Sequence, residues 1–433
     1  MNRNVIRSLV AGAGVVALTA GSVHADSVKV WSRESEDSIQ TLRAVAEAFT
    51  RKTGTDVELF HAMTDFEQRI ARAAAGRALP DLVLNDATML GQLRDMNIIV
   101  PVDRDAIAGA DAIVPAAWNS AQGADGEFYA VPFSAQSFAL FIRKDWREKL
   151  GHDIPTTWDE VHDLARAFTQ DDPDGNGEAD TYGFLMPVST TRGYASWFAS
   201  NFIWQAGGEF VDTTPEGFRP SLNTPEVAEA MGYLRSFICE GFAQPGAINA
   251  TTADAVPSFR SGQTGILMSG PYHVALFDKE PGADLVDVVP PPSGPGGPGA
   301  LAEGTSAYFM RGSQNPDAAR AFVEFLISEE GQRIGMAADT DTVPIVRLPV
   351  NGALSAEDVH QDPRWGVFAD AFANYSHYMP AVPNWTPIRM ITGEGFNRIL
   401  ADCGSDIPAE LARTDDAVAA ELTSQEALAP AAE

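Results

Sequence analysis

The hydrophobic pattern from residue 27 onward alternates between short apolar runs and longer amphipathic stretches. Residues 27–31, 57–60 and 80–86 are runs of strand length, whereas residues 39–50 and 66–75 carry apolar side chains at helical spacing. This order of strand, helix, strand, helix and strand predicts a parallel sheet covered by helices on both faces. Ligands of such sheets bind beyond the carboxyl ends of the strands, so polar residues at those ends become candidates for a site.

A second α/β pattern begins near residue 128. Strands are predicted at residues 128–133 and 138–142, on either side of a short segment that contains Gln136. Capping-box spacing at residues 157–160 opens a helix that we expect to run to about residue 169. Further helices are predicted to start at Pro225 and Pro316, because proline suits the first helical position.

The first 25 residues have the pattern of a secretory signal peptide. Arg3 and Arg7 precede an apolar stretch at residues 9–20, and residues 23–25 place small side chains where a signal peptidase reads them. The apolar stretch is shorter than the roughly 20 residues that a membrane span needs. We therefore expect cleavage after Ala25 and export of a soluble protein to the periplasm.

Length, charge and cysteine content narrow the class of protein. A chain of 433 residues exceeds what one hydrophobic core usually serves, which predicts two domains. The formal net charge of −29 argues against nucleic acid and anionic membranes as partners, since both attract Lys and Arg. Cys239 and Cys403 are too few for a disulfide-built scaffold or a cysteine-based zinc site, and the sequence leaves open whether they pair.

Several segments, in this order along the chain, resemble family 1 extracellular solute-binding proteins. They are YAVPF at residues 129–133 running on to RKDW at 143–146, DDPDGNGEADTYGF at 171–184, WQAGG at 204–208, GILMSGPY at 265–272 and NPDAARAFVEFLISEEGQR at 315–333. The resemblance covers nearly the whole chain beyond residue 25. It implies a two-lobed α/β periplasmic-binding-protein fold of type II, with discontinuous lobes joined by hinge crossings.

The same resemblance implies lobe boundaries and a function. One lobe is expected to comprise residues 26–134 and 283–340, and the other residues 138–278 and 345–433. The protein is expected to be the monomeric binding component of an ABC importer, to hold a mono- to oligosaccharide or polyol between the lobes, and to deliver it to the membrane permease without a cofactor. Other members of the family bind glycerol phosphodiesters or sulfonated sugars, so an anionic solute remains an alternative.

Sugar recognition calls for polar side chains around the hydroxyl edge and aromatic rings under the C–H faces. Strand ends and loops supply the polar candidates, the resemblance supplies Gln136, and two aromatic residues are candidate platforms. The complete set is Ser32, Glu34, Asp65, Asp86, Gln136, Trp204, Tyr272, Gly304, Thr305 and Arg347. Tyr272 stands where sugar-binding relatives commonly have Trp, so we expect a smaller stacking surface there.

Structural roles compete with binding for several of these candidates. Glu34 and Asp65 could be solvated loop acids, and Asp86 could cap the helix that follows it. Trp204 could belong to the core, and residues 304–306 could form a tight turn. Arg347 could grip an anionic group, although we favour a structural ion pair.

Metal binding and catalysis are the remaining alternatives. The loop at residues 172–180 mimics a calcium loop, but Gly183 stands at the twelfth position, where a bidentate Glu should close the shell. We therefore favour a turn without metal. A secreted glycoside hydrolase is the rival class, yet abundant acids alone do not identify a catalytic pair, and the chain has no G-x-S-x-G or H-E-x-x-H motif. We predict no catalytic residue.

Overall fold

A computed structural model describes residues 27–63 and 65–430, so the predicted signal peptide lies outside the described residues. Strands and helices alternate along this part of the chain, and most strands belong to two larger sheets. In chain order these strands are β1 (Ser27–Ser32), β2 (Asp56–His61), β3 (Leu82–Asp86), β4 (Val131–Gln136), β5 (Ala139–Arg143), β6 (Tyr182–Leu185), β7 (Thr264–Ser269), β8 (Val286–Val289) and β9 (Glu303–Phe309).

The first sheet has the strand order β2-β1-β3-β9-β4. Its first three strands in sequence are parallel, as the alternating pattern predicted. The late strand β9 enters between β3 and β4 and runs antiparallel to both, so the sheet is mixed rather than wholly parallel. As a result, the beginning of β9 lies at the same edge as the ends of β3 and β4.

The second sheet has the strand order β8-β5-β7-β6. Here the pairing differs from the predicted division of the chain, which assigned all of residues 283–340 to the first lobe. Strand β8 pairs with β5, so residues 286–289 belong to the second sheet. Hydrogen bonds to β5 hold the apolar strand β8 in the second sheet. The chain returns to the first sheet only at Glu303, where β9 begins.

Helices cover the sheets and begin close to where the sequence places them. Those of eight or more residues in the described part of the chain are α1 (Ile39–Thr53), α2 (Phe66–Ala75), α3 (Trp158–Gln170), α4 (Tyr194–Ala206), α5 (Pro225–Cys239), α6 (Thr252–Arg260), α7 (Pro316–Ile327), α8 (Glu329–Met336), α9 (Arg364–Tyr375), α10 (Trp385–Ala401) and α11 (Ile407–Ser424). The predicted capping box forms before α3, where Thr157 Oγ1 accepts from Glu160 N and Glu160 Oε2 accepts from Thr157 N.

Shorter elements connect these units. They are the helices Leu90–Asp95, Pro115–Trp118, Lys144–Leu150, Val274–Phe277 and Ala356–His360 and the paired strands Val211–Thr214 with Gly217–Pro220, Ser293–Gly294 with Gly297–Pro298, and Ala300–Leu301 with Ser376–His377. Among residues 27–63 and 65–430, no helix combines the length and the apolar character that crossing a bilayer requires.

Two hydrophobic clusters form the interior. In the first, Phe49 of α1 packs edge to face against Phe322 of α7. In the second, Phe184 of β6 contacts rings from α4 and α5. The first cluster also includes residues of the second sheet, such as Phe141 of β5 and Val288 of β8, so it extends across both sheets.

The cysteines and the loop at residues 172–180 also take definite roles. Cys239, the last residue of α5, forms a disulfide with Cys403 just beyond α10, with a Cα–Cα distance of 5.8 Å.

In the loop at residues 172–180, the Asp172 carboxylate accepts hydrogen bonds from the backbone N–H groups of Gly175 and Gly177. The loop is therefore a turn that is closed by a carboxylate of its own. Among the described residues, no group of three or more His, Cys, Asp or Glu side chains is arranged to hold a metal ion.

Candidate functional site

A cavity of about 410 Å³ lies where the edge of the first sheet faces the helices of the second half of the fold. This volume is within the range of about 300–1,000 Å³ that is typical of small-molecule sites. The ends of β3 and β4 and the start of β9 form one wall, through Asp86, Gln136 and Glu303. The antiparallel insertion of β9 therefore brings three separate strand termini to one place.

The opposite wall is rich in aromatic and cationic side chains. It is built from α4, the turn before it, the segment after β7, and the region that leads into α10. The side chains it contributes are Arg192, Tyr194, Trp197, Tyr272, Tyr378, Met379, Trp385 and Arg389.

A chain of hydrogen bonds crosses the cavity floor. Glu303 Oε1 accepts from Trp197 Nε1 at 3.1 Å, and Glu303 Oε2 accepts from Gln136 Nε2 at 2.7 Å. Gln136 Oε1 in turn accepts from Arg347 Nη1 at 2.6 Å. Because a side chain of α4 is tied through Glu303 to the strand edge, this network connects the two walls. Burial raises the pKa of Glu303, and the negative charge of Asp86 acts in the same direction.

Tyr272 presents its ring to the cavity and is held in place from two sides. Its hydroxyl accepts from Ser269 Oγ at 3.2 Å, and the Arg347 guanidinium lies 5.4 Å from the ring centroid. Burial raises the pKa of Tyr272, so the phenol stays protonated and can donate to a ligand.

Five of the ten predicted residues line the main cavity: Asp86, Gln136, Tyr272, Gly304 and Arg347. Glu34 and Thr305 line a smaller adjoining cavity of about 120 Å³. Residues 304–306 belong to strand β9 rather than to a tight turn, and a side chain at position 304 would collide with the carbonyl oxygen of Ser134.

The structural roles considered above for two of these residues, a helix cap for Asp86 and an ion pair for Arg347, are not observed in the described part of the chain. The Asp86 carboxylate makes no capping bond to the helical turn that follows and pairs instead with Arg33 at 2.7 Å. Arg347 has no ion-pair partner within 4.0 Å in the described part of the chain and donates to Gln136 instead. Glu34 is half-buried rather than freely solvated; burial raises its pKa, while a hydrogen bond with Ser38 and the charge of Arg347 oppose that shift.

Three predicted residues lie outside both cavities. Ser32 is buried at the end of β1, and Asp65 is exposed immediately before α2. Trp204 is 4% exposed and belongs to the second core, where Nε1 donates to Glu209 Oε2 and the indole stacks on His377. For Trp204 the core alternative is therefore the one that the structure supports.

The platform that sequence reasoning missed is Trp197. It lies two turns before Trp204 on α4, about 10 Å along the helix axis, and reaches the cavity. A signal for it existed, since residues seven apart share a helix face and Tyr194 adds a second ring one turn earlier. Glu303 also adjoins the predicted Gly304, whereas Arg192 and Arg389 carried no recognisable motif.

This arrangement is suited to reversible binding of a polar, ring-containing molecule. Glu303, Gln136 and Asp86 offer oxygen acceptors for hydroxyl groups, and Tyr272 and Trp197 offer flat apolar surfaces. Glu303 is engaged by two hydrogen-bond donors, which fixes its orientation.

Comparisons with known proteins identify the family. The sequence profile of the bacterial extracellular solute-binding protein family matches residues 34–333. The maltotriose-binding protein of Pyrococcus abyssi is 24% identical over 363 residues, which cover 82% of this chain and 73% of that protein. A probable ABC transporter-binding protein of Deinococcus radiodurans is 25% identical over 340 residues, covering 75% of this chain and 77% of the relative.

Solved structures show the same architecture. The sugar-binding protein MalE of Xanthomonas citri superimposes with a TM-score of 0.77 at 21% identity, covering 92% of this chain and 98% of the other. The cyclic alpha-maltosyl-1,6-maltose binding protein of Arthrobacter globiformis gives a TM-score of 0.76 at 22% identity, covering 92% and 99%. The two-lobed fold of type II is thereby confirmed. Because the family profile spans well over half of the chain, this protein belongs to the bacterial extracellular solute-binding proteins.

Proposed function

We propose that the protein captures a carbohydrate in the cavity between its two halves and passes it to the permease of an ABC importer. The observation that carries this proposal is the Gln136–Glu303–Trp197 network beside the ring of Tyr272. Such a combination of fixed oxygen acceptors and aromatic faces matches the alternating hydroxyl and C–H surfaces of a sugar.

The expected binding strength is consistent with transient capture. A neutral hydrogen bond contributes about 0.5–1.5 kcal/mol, and one with a charged partner about 1.5–3 kcal/mol. A few bonds to Glu303 and Asp86 and one stacked ring are enough for micromolar affinity, which corresponds to about −8 kcal/mol. Two relatives have names that refer to malto-oligosaccharides, which supports a sugar as the ligand class.

Delivery requires export and a membrane partner. We infer that residues 1–25 act as a signal peptide and that the protein works as a monomer in the periplasm. The two halves are taken to approximate residues 26–134 with 303–340, and 138–302 with 345–433, which moves the second crossing to the start of β9. We assign the protein no catalytic role, because its family consists of binding proteins.

The decisive experiment identifies what the purified protein holds. Denaturation of protein purified from its native host, followed by mass spectrometry of the released small molecules, is expected to yield a saccharide. A thermal-shift screen of sugars gives an independent readout, since a ligand at 100 times its Kd adds about 2.7 kcal/mol to stability. Release of shorter sugars from an oligosaccharide incubated with the protein would instead establish a hydrolase and remove the transport assignment.

A further inference from the structure

The main cavity is far more cationic than the chain that forms it. Lys and Arg number 30 against 59 Asp and Glu in the whole sequence. Among the described residues that line the cavity, cationic side chains outnumber acidic ones. The cationic residues are Arg33, Arg192, Arg347 and Arg389, and the acidic residues are Asp86 and Glu303. In so acidic a protein, this local excess of positive charge is not a consequence of composition.

Two of these arginines are satisfied by the protein itself. Arg33 donates to Asp86 at 2.7 Å, and its Nε lies 3.5 Å from Glu67. Arg347 donates to the Gln136 oxygen and lies against the ring of Tyr272. Their orientation is therefore explained without a ligand.

The other two, Arg192 and Arg389, make no comparable contacts with the described residues; Arg192 is exposed, whereas Arg389 is half-buried. Among residues 27–63 and 65–430, no carboxylate lies within 4.0 Å of either guanidinium group. Neither side chain donates a hydrogen bond to any of these residues. Within the described part of the chain, Arg389 Nε is buried and has no hydrogen-bond partner. Burial lowers the pKa of Arg389; the negative charge of Glu303 opposes this shift, and the like charge of Arg192 adds to it.

Local backbone structure brings these two guanidinium groups to the same wall. Arg192 has a left-handed φ of 51° in the turn before α4, a conformation that is unfavourable for a residue with a side chain. The next residue is Gly193, whose missing Cβ lets the turn approach α10, since a Cβ there would lie 2.6 Å from the carbonyl oxygen of Arg389. Two like charges thus face the same cavity, and the buried Nε of the half-buried Arg389 lacks an acceptor among the described residues.

Glu303 does not serve as that acceptor, because no oxygen of Glu303 lies within 4.0 Å of a guanidinium nitrogen of Arg389. Its two oxygens accept hydrogen bonds from Trp197 and Gln136 instead. An unsatisfied buried donor is costly, and a charged one more so, unless a ligand supplies the missing acceptor. A carboxylate or a phosphoryl group matches paired guanidinium forks better than a hydroxyl does.

We propose that the carbohydrate bound in this cavity carries an anionic substituent, a carboxylate or a phosphate ester, which Arg192 and Arg389 hold. This inference rests on the proposed function and narrows its ligand class from sugars in general to acidic sugars. The hydroxyl groups of the same ligand bind at the Gln136–Glu303 side, and Tyr272 and Trp197 lie along the rings.

Matched sugars test the inference by titration calorimetry. D-glucose, D-glucuronate and D-glucose 6-phosphate differ only at carbon six, as do D-galactose, D-galacturonate and the methyl ester of D-galacturonate. We expect at least one anionic member to bind at least tenfold more tightly than its neutral counterparts. The preference should decrease as salt is raised, because screening weakens the attraction of charges that solvent can reach. Comparing the uronates with the phosphate ester shows whether the bound anionic group is a carboxylate or a phosphate.

Variants locate the effect. Arg389→Gln and Arg192→Gln are each expected to reduce the preference for the anionic sugar at least tenfold, and the exposed Arg192 variant serves if the first fails to fold. Arg43→Gln is the matched control, because Arg43 is an exposed residue of α1 that does not line the cavity and its loss changes the net charge equally.

The outcomes distinguish a failure of this inference from a failure of the proposed function. Equal or tighter binding of neutral sugars overturns the inference and leaves the proposed function standing. Tight binding of inorganic phosphate alone, without preference for a sugar, also overturns it. Absence of binding in both series, together with no saccharide released from the protein purified from its native host, contradicts the proposed function itself.

Discussion

The aromatic rings of Tyr272 and Trp204 lie in different environments, and the consequences of removing them should differ accordingly. Tyr272→Ala is expected to weaken ligand binding by about 1–3 kcal/mol, because the ring faces the cavity. Trp204→Ala is expected to lower the free energy of unfolding by about 3–5 kcal/mol and to leave the dissociation constant unchanged. Calorimetric titration and urea denaturation of both variants measure the two quantities. An unchanged affinity of Tyr272→Ala would contradict its placement in the site.

His273 gives the folded state a pH dependence. Burial lowers the pKa of His273 to about 4, from 6.5, and its Nδ1 lies 2.9 Å from Ser269 Oγ. Because the folded pKa lies below the unfolded one, the neutral ring stabilises the protein fully above pH 6.5, and this stability is lost as pH falls from 6.5 towards 4. The contribution is about 3 kcal/mol.

The measurement compares His273→Gln with the unmodified protein. The free energy of unfolding of each is determined at pH 7 and at pH 4.5, in denaturant titrations. We expect a smaller difference between the two pH values in the variant, because the carboxylates that also titrate in this range are common to both proteins. Equal differences in the two proteins would show that His273 does not control this pH dependence.

At the scale of elements, the disulfide joins the end of α5 to the segment between α10 and α11. A cross-link that closes a long loop stabilises a protein by about 2–4 kcal/mol, largely by restricting the unfolded chain. The double variant Cys239→Ser/Cys403→Ser should lose that amount of unfolding free energy and keep its ligand affinity, since neither residue lines the cavity.

Reductant provides the control for this prediction. Treating the unmodified protein should shift its Tm to that of the double variant, and the double variant itself should not respond. A double variant as stable as the unmodified protein would contradict the cross-link.

Helix α4 shows how one element sets the chemistry of the site. Its helical repeat places Trp197 in the cavity and Trp204 in the core on the same face. The turn before α4 adds Arg192, so this turn and α4 together contribute a stacking ring and a charge. The sequence analysis did not predict this helix, and which of its two tryptophans reaches the cavity depends on where the helix starts relative to the sheet.

At the scale of the whole molecule, the proposed capture requires the two halves to close around the ligand. We expect the radius of gyration from small-angle scattering to decrease when a sugar that binds the protein is added to saturation. The motion is expected to be a hinge rotation at the crossings near residues 134–137, 303 and 342. Tyr272→Ala at the same sugar concentration is the control, because weaker binding should reduce the change. An unchanged radius under confirmed saturation would contradict closure.

The sequence by itself determined the local structure and the family. Periodicity and capping residues located α1, α2 and α3 and the first strands within a few residues, because these features act over one or two turns of chain. Motifs in a fixed order identified a solute-binding protein, and five of ten predicted residues reached the main cavity. The predicted lobe boundary at residue 283 differed from the observed pairing of β8, because an apolar run of strand length does not indicate which of two sheets it joins.

Only the tertiary structure decided which side chains meet. Glu303 became central because β9 enters antiparallel between two parallel-running neighbours, a pairing that joins positions far apart in sequence. Arg192 and Arg389 come together because Gly193 allows a turn to approach a distant helix. The positive charge of the cavity is thus invisible in a chain of net charge −29, since local charge depends on distances in space and composition records only totals.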